Sequence, residues 1–449
     1  MIFAAFFLAL MLLTDVYGQD IPLTKSGNEE IHESFRNKLA MPSKMYVLQG
    51  IDNNLFFKPI VMRWRPNDDY VRFSLKDKTK LEKHLSTVAT IKESNDGSIL
   101  NVTLINSDLF ETIDHKEVQI CSAKPFEGDE EVIVSFIGDS YTKGMFYNDA
   151  LLEKKYTPGI KLVGLRKRKE GVYDEGRGGW TLQSYFSVPK DSISYHGFMH
   201  PKGDYRYYGC QDFWINAHLC TKKNAPAGFE PSYSCTGYDD FVTMFDSETG
   251  LLLHPYKGDV QYSNSEKDYI VFDGTAWVKP KEKLVWEFDY SKYISMFNIP
   301  IPHFVFIQLG LNDFRGNLNA DFARWGQQVN LLAESVKKVN PNVIIGICIP
   351  CSTCGSIEND EGIFTPKQNA AMFRFRDWLI NTFDHCEEKN IFLIDTGICI
   401  DEDNGYANNQ TFNDIKVQTG LPHPRLSYPQ MGIPLAAFIQ YNRQTTNTK

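Results

Sequence analysis

Along the first third of the chain, apolar and polar residues alternate in short runs: KMYVLQG, FFKPIVMRW, YVRFSL, ILNVTLI and EVQICSA. Turn clusters such as Pro66-Asn67-Asp68 and Asn95-Asp96-Gly97 break them. Alternation with a period of two predicts half-buried strands, hence a small β-sandwich-like domain over residues 19–128. From residue 131 the pattern changes to continuous apolar runs, EVIVSFIG, IKLVGL, HFVFIQLG, NVIIGICI and IFLID, separated by amphipathic stretches. Runs of this kind suit parallel strands covered on both faces. Between them, Phe322, Trp325, Val329, Leu332, Val336 and Val339 recur at steps of three or four, which is one stripe of a helix over 320–340. Segments 366–383 and 428–441 read alike, and Pro366 suits a first helical turn. The alternation predicts a three-layer α/β/α domain with a parallel five-stranded sheet over 129–449. A long aromatic-rich insertion at about 187–300, with the hairpin-like YIVFDGTAWV, interrupts it.

Composition narrows the function classes. The chain has 449 residues, 42% hydrophobic and 23% charged, with a formal charge of −9. That balance excludes a phosphate-tracking nucleic-acid binder, and the basic run Arg166-Lys167-Arg168-Lys169 reads as a solvated turn. The opening MIFAAFFLALMLLTDVYGQD has the length and composition of a signal peptide (1–18) cut after Gly18, so the chain is expected to be secreted or periplasmic. No later run reaches ~18 apolar residues, so no stable membrane insertion is expected after cleavage. The nine cysteines are an odd number; Cys210 with Cys220, or Cys386 with Cys399, could pair. Cys348, Cys351 and Cys354 have a metal-like spacing, but the first lies in an apolar run and no second cluster follows. His196 and His200 are four apart around a glycine, and Asp401 to Gly405 resembles half a calcium loop without its closing Glu. No metal or cofactor is expected.

Candidate chemistry sits where the apolar runs end. The stretch IVSFIGDSYTKG places Ser140 just after a buried strand and a tight glycine exit, at the start of a helix expected near Tyr141 to Lys155. In open α/β sheets that edge is where ligands bind. A serine needs a base and pre-placed donors to act as a nucleophile. Three other strand-end segments offer them: EGRGGWT with Gly179, GLND with Asn312, and GLPHPRLSYPQMG with His423 before the last helix.

In order and position these four blocks resemble the SGNH, or GDSL-type, hydrolases from about residue 131 onward, with a leading β domain similar to that of some secreted bacterial members. The resemblance implies a flavodoxin-like sheet in which Ser140 attacks an ester and His423 accepts its proton. Ser140 N–H, Gly179 N–H and the Asn312 side chain would form the oxyanion hole. Three residues before the His, where the family carries an Asp, this chain has Gly420. A backbone carbonyl, or a carboxylate such as Asp414, would then have to orient the ring.

The expected function is a secreted serine esterase removing acyl groups, acetyl above all, from a small-molecule or glycan ester. The carbohydrate part rests on the resemblance and on insertion aromatics that could stack on sugars, among them Tyr205, Tyr207, Tyr208, Phe213, Trp214, Trp277 and Trp286. The alternatives are a lipid or lysophospholipid esterase, or a catalytically impaired glycan-binding protein, which Gly420 suggests.

Overall fold

The computed structural model describes residues 38–61, 69–75, 83–84, 88–106, 109–125, 128, 130–153, 156–169, 171–190, 196–210, 249, 251–263, 265–317, 320–352, 366–402, 405–406, 410–412, 415–417, 423–424 and 426–446. The expected leader and its cut after Gly18 lie outside the described residues.

The N-terminal part is built from β1 (Lys44–Leu48), β2 (Asn53–Phe56), β3 (Asp69–Leu75), β4 (Lys83–His84), β5 (Val88–Ile91), β6 (Ile99–Asn106) and β7 (Thr112–Ala123). One sheet runs β1-β7-β6-β3, with β1 and β7 parallel; the other runs β2-β5-β4. Alternation decides which residues enter the core: Leu100, Val102 and Leu104 of β6 are buried with Val71, Phe73, Leu55 and Ile91. The run FFKPIVMRW departs from expectation. It leaves β2 for a 3₁₀ turn at Lys58–Ile60, because Pro59 has no N–H for a ladder.

The second part is a sheet in the order β10-β11-β9-β8-β18-β19-β20. Its strands are β8 (Val132–Gly138), β9 (Ile160–Val163), β10 (Arg166–Lys169), β11 (Val172–Gly176), β18 (Phe304–Gln308), β19 (Ile344–Cys348) and β20 (Ile391–Ile394). The five apolar runs supply β9, β8, β18, β19 and β20, each parallel to its neighbour. Helices Ala323–Val339, Pro366–Phe383 and Tyr428–Thr446 accompany them. Trp325, Val329, Leu332 and Val336 form the buried face of the first helix.

Two corrections follow. The sheet has seven described strands rather than five, because β11 and β10 extend it past β9. The basic run is therefore not a solvated turn but β10 itself. Arg166 is buried, and Arg168 bonds the buried Asp174 at 2.6 Å. A strand made of RKRK gives no apolar signal, since an inward position such as Arg168 is satisfied by ion pairing rather than by packing.

The insertion adds small sheets, among them β13 (Arg206–Cys210), β14 (Asp259–Ser263), β15 (Asp268–Phe272) and β16 (Trp277–Val278). YIVFDGTAWV forms the expected hairpin, with Val271 opposite Val278 and the Asp273 carboxylate accepting from the N–H groups of Thr275 and Ala276. Tyr207 and Tyr208 are buried, and Trp286 packs edge-on to Tyr207, so these rings build core rather than a sugar platform. Phe213 and Trp214 lie outside the described residues.

The N-terminal sheets are keyed onto the larger sheet. Tyr46 meets Phe438 edge-on at 4.8 Å and Tyr441 at 5.8 Å, and Ser43 N–H donates to Asp384 at 2.7 Å. Arg376 pairs with Asp395 and donates to the Ala40 carbonyl at 2.7 Å. Burial of Tyr46 makes the two parts unfold together, and removing its ring in Tyr46→Ala should cost ~3 kcal/mol. Urea denaturation followed by tryptophan fluorescence and circular dichroism checks this. One shared transition, moved to lower urea by the substitution, is expected; two resolved transitions would contradict it.

Candidate active site

The position of Ser140 is set by the end of β8. A Cβ at Gly138 would collide with the Thr142 side chain, so only glycine lets the chain turn here. Asp139 then caps the turn Ser140–Lys143, its carboxylate accepting from Tyr141 N–H at 2.9 Å. The long helix expected from Tyr141 to Lys155 is broken in two. Gly144 and Met145, the latter at φ 59°, separate the Ser140–Lys143 turn from Phe146–Leu151.

His423 reaches this turn from the far end of the chain. Its Nε2 lies 2.8 Å from Ser140 Oγ, and both residues are half-buried. The loop carrying it is tied down on the C-terminal side. Pro424 O accepts from Ser427 and Tyr428 N–H at 2.9 Å each, and Gly405 O accepts from Leu426 N–H at 2.9 Å. The imidazole sits edge-on to Tyr141 at 5.6 Å, with Tyr428 tilted beside it at 6.3 Å. The Tyr141 hydroxyl in turn lies 3.2 Å from Cys351 Sγ, so the ring beside His423 is itself anchored.

Gly179 occupies a turn at φ +79°, with no atom within 4 Å of where a Cβ would stand. Its turn is fixed against β8. Arg177 N–H and the Tyr185 hydroxyl both donate to Gly138 O, at 2.9 and 2.8 Å. The Arg177 guanidinium bonds Glu175 at 2.7 Å and lies 4.8 Å from the Trp180 ring centre. Asn312 Nδ2 donates to Trp180 O at 3.1 Å, which joins the third block to the second. That bond takes one of the two amide hydrogens. Asp313 strengthens the join: its carboxylate accepts from Leu182 N–H at 2.9 Å and Gly310 N–H at 3.1 Å. Gly310 holds φ +117°, and a side chain there would collide with Phe375.

The structure thus brings Ser140 and His423 into direct contact and ties the Gly179 and Asn312 loops to each other. Gly420 and Asp414 lie outside the described residues. Asp313, Arg177, Tyr185 and Glu175 escaped the sequence reading. Asn312-Asp313 reads as a turn, and only the Asp three positions after Gly310 hints at an N-terminal cap.

The other candidates are placed elsewhere. His196 Nε2 faces Ser187 O at 2.9 Å and His200 Nε2 faces Gly197 O at 2.8 Å; burial lowers both rings, to about 3 and about 4. Cys386 and Cys399 are both free thiols, so that pairing is not formed: Cys399 is buried with its thiol against Thr396 O, and Cys386 is half exposed on another turn. Cys348 and Cys351 are buried, while Cys220 and Cys354 lie outside the described residues. Asp401 O accepts from Gly405 N–H at 2.7 Å in a plain turn. Among the described residues no group of three His, Cys, Asp or Glu could hold a metal ion.

Burial pushes the carboxyls of Asp139 and Asp313 up to about 7, against the opposing pull of their backbone N–H donors. The folded chain therefore keeps protons that the unfolded chain has released above the ordinary aspartate value of 3.8. The stability from this protonation is complete below the unfolded value and lost as pH rises through about 7. Asp139→Asn keeps an acceptor for Tyr141 N–H and cannot ionise. Its Tm relative to the parent should rise between about pH 5 and about pH 8. Thermal melts check this, and a constant difference across that range would refute the burial argument.

No protein-family model and no curated protein matches the chain. Among solved structures it is similar to a family two carbohydrate esterase from Clostridium thermocellum in complex with cellohexaose. That match has 12% identity, 84% of this chain and 86% of the other covered, and a TM-score of 0.31. A carbohydrate esterase family 3 structure from Talaromyces cellulolyticus matches at 11% identity, covering 69% of this chain and 98% of the other, with a TM-score of 0.30. A peptidoglycan O-acetylesterase matches at 12% identity, covering 71% and 93%, again with a TM-score of 0.30. Likenesses this distant carry no argument about function, which has to be read from the site itself.

Proposed function

We propose that this chain is a secreted serine carboxylic-ester hydrolase of the SGNH type that removes acyl groups, acetyl above all, from a carbohydrate. In this reading residues 129–449 are the flavodoxin-like catalytic domain with its insertion, and 19–128 an accessory β domain. The observation that carries the proposal is the 2.8 Å contact between His423 Nε2 and Ser140 Oγ at the carboxyl edge of a parallel sheet. Among the described residues no helix is long and apolar enough to cross a membrane.

The chemistry follows from that contact. For Nε2 to accept the hydroxyl proton, the neutral ring must carry its own proton on Nδ1. Ser140 Oγ attacks the ester carbonyl carbon while His423 takes its proton. The oxyanion is met by Ser140 N–H, Gly179 N–H and the second hydrogen of the Asn312 amide. Collapse expels the sugar alcohol, protonated by His423, and leaves acyl-Ser140. Water, deprotonated by the same ring, then releases the acid and restores the serine. Half-burial of Ser140 and His423 leaves the pair reachable by a substrate.

Hydrolysis of p-nitrophenyl acetate tests the assignment. Ser140→Ala and His423→Ala should each lower kcat by ~10⁴ or more, and Asn312→Ala by ~10²–10³ with little change in KM. Turnover that survives Ser140→Ala would overturn the nucleophile. A rate that rises from acetate to longer-chain esters would favour the lipid-esterase reading, and an inert wild type the glycan-binding one.

A further inference from the structure

A histidine passes protons to and from a serine only while its ring keeps one plane and one direction, and its own torsions fix neither. The χ2 angle of histidine is broad, and a hydrogen bond at Nε2 leaves the ring free to tilt about that bond. Three residues before His423 stands Gly420, which brings no carboxylate to the ring. Two tyrosines are packed against it instead. Tyr141 meets the imidazole edge-on, with ring centres 5.6 Å apart and planes at 63°, and Tyr428 lies tilted beside it at 6.3 Å and 52°. The tyrosines also meet each other edge-on at 5.5 Å, so the three rings close a triangle.

Both tyrosines are held in turn. Tyr428 N–H donates to the carbonyl of Pro424, the residue after His423, at 2.9 Å. Tyr141 follows Ser140 directly; its N–H is bonded to the Asp139 carboxylate at 2.9 Å, and its hydroxyl lies 3.2 Å from Cys351 Sγ. The same sulfur lies 3.9 Å from the Tyr406 hydroxyl, which donates to Ser352 O at 2.7 Å. Burial raises the Tyr141 hydroxyl and pushes the Cys351 thiol up to about 12, so both stay protonated and neutral beside the imidazole.

We infer that Tyr141 and Tyr428 are positioning residues for His423, with Cys351 acting through Tyr141: the two rings hold the imidazole in the plane from which Nε2 takes the Ser140 proton. This inference rests on the esterase reading and adds to it the residues that keep its base in place. Tyr141, Tyr428 and Cys351 are all 0% exposed, so their side chains cannot reach a substrate. Their effect therefore belongs to the proton-transfer step and not to binding. A misplacement of ~1 Å at the reacting atoms can cost ~10² in rate, which sets the size of effect to look for.

The test is a double-mutant cycle on p-nitrophenyl acetate hydrolysis, because residues that act through His423 have nothing to act on once the imidazole is gone. Tyr141→Leu should lower kcat by ~10- to 100-fold with KM unchanged. In a His423→Ala background the same change should lower the residual rate by less than ~2-fold. Tyr141→Phe, which keeps the ring, should lose less than Tyr141→Leu, and Cys351→Ser, which keeps a partner for the Tyr141 hydroxyl, less than Cys351→Ala. Cys351→Ala removes only the sulfur and carries the same cycle should Tyr141→Leu not fold. An unchanged kcat in these variants, a rise in KM at constant kcat, or an equal fall with and without the imidazole would overturn the inference. Failure of the esterase reading shows differently, as a parent protein that is itself inert toward p-nitrophenyl acetate.

Discussion

One hydrogen bond has to be made between two segments that lie far apart along the chain. Ser140 and His423 are 283 residues apart, and their side chains meet at 2.8 Å. Chain entropy opposes holding two such distant segments together, so the meeting depends on both being fastened to something stiff. Ser140 is fastened by β8, which lies between β9 and β18 in the middle of the sheet. His423 is fastened by the turn at Pro424 and Gly405 and by the helix Tyr428–Thr446, whose Phe438 packs on both Phe306 of β18 and Tyr46 of β1.

The Gly179 and Asn312 loops are held by a different device, a set of polar bonds around the Gly179 turn. Gly138 O, at the end of β8, is the common acceptor for Arg177 and Tyr185. Glu175 takes Leu165 N–H, the Tyr293 hydroxyl and Arg177 together, so the second strand end, the insertion helix Tyr290–Met296 and the guanidinium share one carboxylate. Such a buried network adds little net stability but is costly to leave half-made. Its effect is to fix where the Gly179 turn lies relative to Ser140. The insertion therefore supports the site from below, using buried rings such as Phe198, Tyr290 and Tyr293.

Much of this was legible in the chain, for identifiable reasons. Continuous apolar runs mark the central strands because both of their faces are covered, and the Trp325 to Val336 stripe marks a helix because only one of its faces is. Ser140, Gly179, Asn312 and His423 could be singled out because each follows or flanks an element end. What could not be read was polar burial. Arg166 and Arg168 look like surface residues, and for Arg168 it is the partner Asp174, folded back across a hairpin, that explains its place inside. Asp313 was hidden in the same way, since its cap is made to Leu182 on another block. The broken helix after Ser140 was missed because Met145, unlike glycine, gives no sequence warning of a positive φ.

The central claim is that the Ser140 hydroxyl is activated by His423, which is a statement about reactivity rather than position. A fluorophosphonate probe reads it directly, because phosphonylation needs a nucleophilic hydroxyl and not merely an accessible one. The account predicts a single stoichiometric adduct, mapped by peptide mass spectrometry to Ser140 and lost in His423→Ala. Labelling absent from the folded wild-type protein, or undiminished when the imidazole is removed, would contradict it.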